Sequence, residues 1–238
     1  MKKNTFLKGI SDGIPICLGY LSVSFAFGIF SVESGLSILE ALLISMTNVT
    51  SAGQLAAVPI IVGGGTITEL ALSQLVINLR YALMSVSLSQ KLHTNVRLID
   101  RFLISFVNTD EVFAVSSSNN GLVKRNYMYG LILTPYIGWS LGTLLGAVAG
   151  NILPSVVISS LGIAIYAMFV AIVVPESHEN INTALCVLVA VVLSCIFNFV
   201  PQFKGIPAGF VIIICGISAS ALFAAIRPIE IIEEDEND

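Results

Sequence analysis

Charge is scarce in this sequence. Only 11% of its 238 residues are Asp, Glu, Lys or Arg, against about 25% in a soluble domain. A soluble fold of this length must cover its surface with polar groups, and too few are present. Histidine occurs twice, at His93 and His178, and the four cysteines (Cys17, Cys186, Cys195 and Cys215) all sit inside apolar runs. No CxxC and no Cys/His ligand spacing exists, so zinc and disulfide readings fail and the cysteines read as small apolar packing residues. No metal or cofactor is expected, and no nucleic-acid partner. Intramembrane enzyme chemistry meets the same shortages. Asp110 is the only aspartate deep in an apolar run where an aspartyl protease needs two, both histidines fall in loops, and HExxH is absent.

What the chain does have is apolar length. Hydrophobic residues make up 55% of it and the mean hydropathy is +0.92. Lys2, Lys3 and Lys8 precede an uncharged stretch at 13–32; no small-x-small cleavage site closes it and equally apolar runs follow, so it is read as a first span rather than a signal peptide. Further runs cover 38–62, 67–89, 127–150, 155–174, 184–200 and 206–226, with a shorter apolar segment at 102–118. The expected fold is therefore an all-α, polytopic transmembrane bundle of seven spans, or eight if 102–118 crosses. Residues 1–226 form one transmembrane domain in this reading. Six of the 15 acids crowd into the last nine residues, making 227–238 a solvated acidic tail. Counting bases by side gives close to a tie, with a slight lean to both termini inside. Pro15, Gly19 and Phe27–Gly28 also parallel Pro135, Gly138, Gly142 and Gly146, a hint of two inverted repeats with broken helices.

Three breaks in the apolar pattern carry the functional reading, because polar groups in hydrocarbon are costly. The first is Thr47-Asn48-Val49-Thr50-Ser51-Ala52-Gly53-Gln54, inside the second run. Ser51 and Gln54 have capping-box spacing, so a helix starting afresh at Ser51 would aim free N–H groups and a positive dipole end at an anion. The alternative is a continuous helix whose polar side chains bond its neighbours. The second break is Asn78-Leu79-Arg80-Tyr81 at the middle of the third run. A cation there costs about 2.5–3.5 kcal/mol to insert. Arg80 either forks a substrate carboxylate, or pairs with an acid, or reaches out to the headgroups. The third is Asn108-Thr109-Asp110-Glu111. Asn108 followed by Glu111 fits a helix start with both acids in the first turn, and either acid could partner Arg80 or carry a proton.

At these residues the chain resembles the AzlC family, the large subunits of two-component branched-chain amino acid exporters. The resemblance rests on Gly13-Ile14-Pro15 with Phe27-Gly28, Ser51-Ala52-Gly53-Gln54, Ile77-Asn78-Leu79-Arg80-Tyr81 and Thr109-Asp110-Glu111-Val112-Phe113-Ala114. It implies export of leucine, isoleucine and valine across the plasma membrane by an ion-coupled carrier with a small membrane partner resembling AzlD. The substrate contacts it suggests are Arg80, Asn78, Asn48, Thr50, Ser51, Gly53 and Gln54, with Asp110 and Glu111 as coupling or ion-pair acids. One departure stands out: the run at 163–169 lacks the acid that the family often carries before its Phe-Ala-x-x-x-Phe stretch. A channel or a non-transporting accessory subunit is the alternative.

Overall fold

The computed structural model describes residues 5–119, 121–154, 170, 173–175, 177–178, 180–203 and 205–226. The chain divides into two units, Met1–Met168 and Phe169–Asp238. Regular structure among the described residues is helical apart from one isolated bridge between Leu92 and Val123, as an apolar chain in lipid requires. The expected span at 155–174, with its run at 163–169, falls almost wholly outside the described residues, and the acidic tail does so entirely.

The first unit holds α1 (Phe6–Glu33), α2 (Ile38–Thr47), α3 (Ser51–Val62), α4 (Ile67–Lys91), α5 (Leu98–Phe106), α6 (Asp110–Ser117) and α7 (Arg125–Gly150). Starts follow local capping chemistry: Thr5, Ser37 and Thr66 each accept a hydrogen bond from the backbone N–H three residues on, and Ser37 with Glu40 completes a reciprocal capping box. Gly64, at φ +69°, lets the chain turn between α3 and α4. In the second unit, α8 (Ile181–Phe199) and α9 (Ala208–Ile226) are both long and apolar enough to cross a bilayer.

Glycine sets the closest contact of the first unit. The backbone of α1 at Gly9 lies against Tyr127 and Leu131, Cys17 lies against Gly138, Leu21 against Gly142 and Phe25 against Gly146. Residue numbers rise together along the two helices, so α1 and α7 run parallel. They pack by small-residue contact of the kind membrane helices use. A Cβ on Gly142 would stand 2.5 Å from the Leu21 carbonyl oxygen, and backbone cannot move aside. Gly142→Val should therefore destabilise at the upper end of the roughly 1–3 kcal/mol seen for overpacking, read as a lowered melting temperature in detergent, whereas Cys195→Ala, on an exposed side chain, should melt like the parent.

The parallel pair fixes the path of everything between. At the far end of α4, His93 N–H donates to Val123 O (2.9 Å) and Val123 N–H to Lys91 O (2.8 Å). The chain that leaves α4 thus returns to the same place before entering α7. Leu88 and Leu92 share a core cluster with Tyr127 and Met128, so α4 ends where α1 and α7 begin and runs antiparallel to both. Residues 34–66 must then also leave and return on one side. Val58 of α3 accordingly sits in one cluster with Phe27, near the end of α1, and Leu36, just before α2. Both segments are re-entrant hairpins. At 1.5 Å per residue, α2 and α3 are about 15 and 18 Å long and α5 and α6 shorter still, each about half of a ~30 Å hydrocarbon core or less.

Two expectations change. The run at 38–62 enters the membrane and turns back instead of crossing, and 102–118 does the same from the opposite side. The repeat also lies elsewhere than the proline and glycine pattern suggested. Because α1 and α7 are parallel, they are not inverted copies. The inverted relation is between α1 with α2–α3 and α4 with α5–α6: a long helix followed by a hairpin that dips back in. This path also sorts the charges of the first unit by end. All described bases of the first unit except Arg80 (Lys8, Lys91, Arg97, Arg101, Lys124 and Arg125) cluster at the end where α1 begins, while Glu33, Glu40 and Glu69 mark the other end. By the positive-inside rule that excess of bases favours a cytoplasmic side for the first end.

Candidate functional site

The hairpin tips are the two interruptions read from the sequence. In the first, α2 ends at Thr47, Asn48 (φ −137°, ψ 87°) leaves helical geometry, and Thr50 caps α3 by accepting from Gly53 N–H at 3.2 Å. The new helix does start at Ser51, but Thr50 caps it rather than Ser51. Gln54 does not close a capping box. It is fully buried, donates to Ser45 Oγ (2.7 Å) and accepts from Trp139 Nε1 (2.8 Å), while Ser45 bonds Thr143 at 2.5 Å. Its amide therefore pins α2 and α3 to α7 behind the tip.

The second tip mirrors the first. Helix α5 stops at Phe106, and Thr109, not Asn108, caps α6 through Val112 N–H at 3.5 Å. Both acids fall in the first turn of α6 as expected. Asp110 takes the Arg80 guanidinium at 2.8 Å, and Arg80 also donates to the Tyr81 hydroxyl at 3.1 Å. Glu111 accepts a short hydrogen bond from Tyr20, whose ring meets Trp139 edge-on at 5.0 Å. Of the three roles open to Arg80, this structure displays the acid pair.

Between the tips lies a cavity of about 170 Å³. Thr47, Asn48, Val49 and Thr50 line it from the first tip, Ser105, Phe106, Asn108 and Thr109 from the second, and Asn78 and Tyr81 from α4. Asn48, Thr50 and Asn78, three of the expected substrate contacts, thus line one cavity. Arg80, Asp110 and Glu111 stand beside the cavity without lining it, Gln54 lies behind it, and Ser51 and Gly53 form the helix start next to it. Gly53 is tightly enclosed: a Cβ there would fall 2.6 Å from Gln74 Oε1.

Sequence reading missed Gln74, the organiser of the site. Its Nε2 donates to Gly53 O (2.9 Å), and its Oε1 accepts from Asn48 Nδ2 (2.9 Å) and Asn78 Nδ2 (3.2 Å). It also missed Asn108 and Tyr81 as lining residues. The signal was present: Gln74, Asn78, Tyr81 and Ser85 recur at helical spacing through an apolar run, a polar stripe that faces both tips.

The electrostatics of the two tips differ. The first turn of α3 carries no acid, whereas that of α6 carries two. A helix N-terminus is worth about half a positive charge. The α3 start is therefore left uncompensated, while the α6 start is over-compensated by carboxylates, one held by Arg80. The cavity is thus flanked by a positive end and a negative end.

A second polar cluster sits at the base-rich end, outside the membrane-spanning stretches. Asp100, 4% exposed, accepts from the Tyr129 hydroxyl and from Arg97 N–H (2.8 Å), with Arg125 at 3.7 Å. The Tyr129 hydrogen bond foremost, then the Arg97 amide and the Arg125 charge, holds its carboxyl below the usual range against the opposing push of burial. A lowered folded-state pKa contributes stability above the unfolded value of about 4, lost as pH falls through the folded one. The melting difference between the parent and Asp100→Asn should therefore hold steady from pH 8 to 5 and fade below about pH 4.

Residues 15–153, which contain both hairpins and every residue lining the cavity, match the family described as AzlC protein. The chain is 29% identical to the inner membrane protein YgaZ of Escherichia coli K12 over 79% of each chain. It is 33% identical to a membrane protein of Archaeoglobus fulgidus over 74% of this chain and 77% of that one. A membrane protein of Helicobacter pylori 26695 is 25% identical over 61% of this chain. No solved structure matches.

Proposed function

The chain belongs to the AzlC family, and from that premise we propose that it is the transport subunit of an ion-coupled carrier that exports branched-chain and other hydrophobic amino acids. The observation that carries the reading is the cavity between two opposed re-entrant tips, one with a helix N-terminus that carries no acid and the other with paired acids. An amino acid headgroup is a zwitterion of matching polarity. Its carboxylate suits the open N–H groups at Ser51 and the α3 dipole, as in carriers built on broken helices. Its ammonium suits the side of Asp110 and Glu111.

In this reading Arg80 does not fork the carboxylate. It holds Asp110 while the site is empty and can release it when a substrate ammonium or coupling cation arrives. Gln74 sets the positions of Asn48, Asn78 and Gly53, and Gln54 braces the first hairpin from behind. A small membrane partner resembling AzlD and a plasma-membrane location come to the proposal with the family.

The test is export from cells loaded with leucine- or isoleucine-containing peptides, with and without this chain and its small partner. Cells with both should hold several-fold less free leucine, and counterflow in proteoliposomes should saturate. Unchanged accumulation would overturn the reading. A channel built on the same tips would give flux proportional to concentration with no counterflow.

A further inference from the structure

Two of the residues lining the cavity carry a buried amide oxygen with nothing in the protein to bond it: Asn78 Oδ1 and Asn108 Oδ1. The polarity of the first is forced by its neighbours. Gly53 O can only accept, so the Gln74 atom that meets it must be the amide nitrogen, and the other Gln74 atom must be the oxygen. That oxygen takes the nitrogens of Asn48 and Asn78, which leaves the Asn78 oxygen an acceptor without a donor. Asn108 is 3% exposed, and its nitrogen donates to Ser85 Oγ at 3.2 Å, leaving its oxygen unmatched. Buried carbonyls in protein interiors are nearly always paired, and in a membrane core the need is sharper.

The start of α3 puts one positive helix end on the cavity, that of α6 being over-compensated by Asp110 and Glu111, and two helix C-termini oppose it. The C-terminal turns of α2 and α5 end on it at Thr47, Ser105 and Phe106, and a helix C-terminus carries partial negative charge from its last carbonyls. The side chains lining the cavity are all neutral. This donor set of amide and backbone oxygens without a carboxylate suits a monovalent cation and not a divalent one, which takes charged oxygen ligands.

We propose that this cavity is a monovalent-cation site in which Asn78 Oδ1 and Asn108 Oδ1 bind either a primary ammonium group or an alkali ion. The proposal deepens the carrier reading and rests on it for its physiological use: the bound cation is the substrate's ammonium or the coupling ion. It shifts the principal cation contact from the acids beside the cavity to the asparagines that line it.

The purified full-length chain supplies its own reporter, because Trp139 is its only tryptophan and is bonded to Gln54 directly behind the first tip. Tryptophan fluorescence and thermal shift are followed while sodium, potassium or methylammonium chloride replaces choline chloride at constant ionic strength. At least one of these cations should give a saturable change. Asn108→Leu and Asn78→Leu should weaken it tenfold or more, whereas Asn108→Asp, which keeps the acceptor and adds charge, should retain or tighten it. Because a leucine variant can fail to fold, the aspartate variant is decisive on its own: unchanged or lost affinity relative to the parent for every cation that binds overturns the proposal once its melting curve is native-like, and tightening supports it. A response to sodium or potassium alone assigns the site to a coupling ion, and one to methylammonium alone assigns it to the substrate headgroup. No saturable response to any of the three overturns the proposal. Leucine that neither binds nor exchanges, alongside an intact cation titration, would sink the amino acid reading and leave this one standing.

Discussion

Arg80→Ala is expected to lower leucine export by about 10- to 100-fold, and the exchange Arg80→Asp with Asp110→Arg to recover a substantial part of the loss. Residue 80 lies near the centre of the 25-residue α4, roughly 17–20 Å from either end at 1.5 Å per residue. Its guanidinium meets Asp110 at 2.8 Å. An ion pair on a water-exposed surface contributes little, but bulk water does not reach the middle of a span. There, removing one partner strands the other. A hydrogen bond to a charged group is worth about 1.5–3 kcal/mol, which corresponds to the stated factor. The side chains remain 56% and 46% exposed within the chain, which argues against the larger penalty of a fully enclosed pair. Without Arg80, Asp110 would also face Glu111, its neighbour in the first turn of α6, with no compensating cation on α4.

The charge exchange separates two mechanisms that single substitutions confuse. If Arg80 works by holding the second tip through Asp110, reversing the pair keeps the link and restores export. If it instead grips the substrate carboxylate, an aspartate at position 80 repels that group and the exchanged protein stays inactive. Initial export rates at matched membrane abundance decide between them. Full activity in Arg80→Ala would remove the pair from the transport cycle altogether.

Part of the cavity was legible in the sequence. Each polar interruption proved to be a real break in a helix or a charge at mid-span, because hydrocarbon tolerates such residues only where something offsets their cost. Asn48, Thr50 and Asn78 were picked out on that ground and do line one cavity. Capping was misassigned by one residue at both tips, to Ser51 and Asn108 in place of Thr50 and Thr109. Adjacent Ser, Thr and Asn side chains compete for the same orphan N–H groups, and only the backbone angles choose between them. Gln74 was passed over because one neutral amide in an apolar run hardly changes hydropathy. Its importance comes from three partners 4, 21 and 26 residues away, and pairings at the longer separations leave no mark on local sequence. The match of α1 with Pro135 and the later glycines was likewise a packing signal. The glycines recur where two parallel backbones touch, and not because one helix copies the other.

The path of the chain was the least legible feature, since a 25-residue apolar run with a polar centre reads the same whether it crosses or folds back. Its direction can be tested with single cysteines introduced at Gly64 and Asn95 in a protein whose four native cysteines are replaced. If residues 38–62 and 102–118 both crossed, the turn at Gly64 would share a side with the N-terminus and Asn95 would lie opposite. With re-entrant hairpins the assignment reverses: the chain returns to the end of α1 before α4 starts, and α4 delivers His93 to Val123 beside the start of α7. In intact cells a membrane-impermeant maleimide should therefore label Gly64→Cys nearly completely and Asn95→Cys only after permeabilisation. Ser34→Cys, outside under either path, and Ser118→Cys, inside under either, serve as controls. The outcome is close to all-or-none, because a charged reagent does not cross the bilayer. Labelling of Asn95→Cys from outside, with Gly64→Cys protected, would return both segments to full crossings. The tips would then no longer face each other, and the cavity that supports the proposed chemistry would have no basis in the fold.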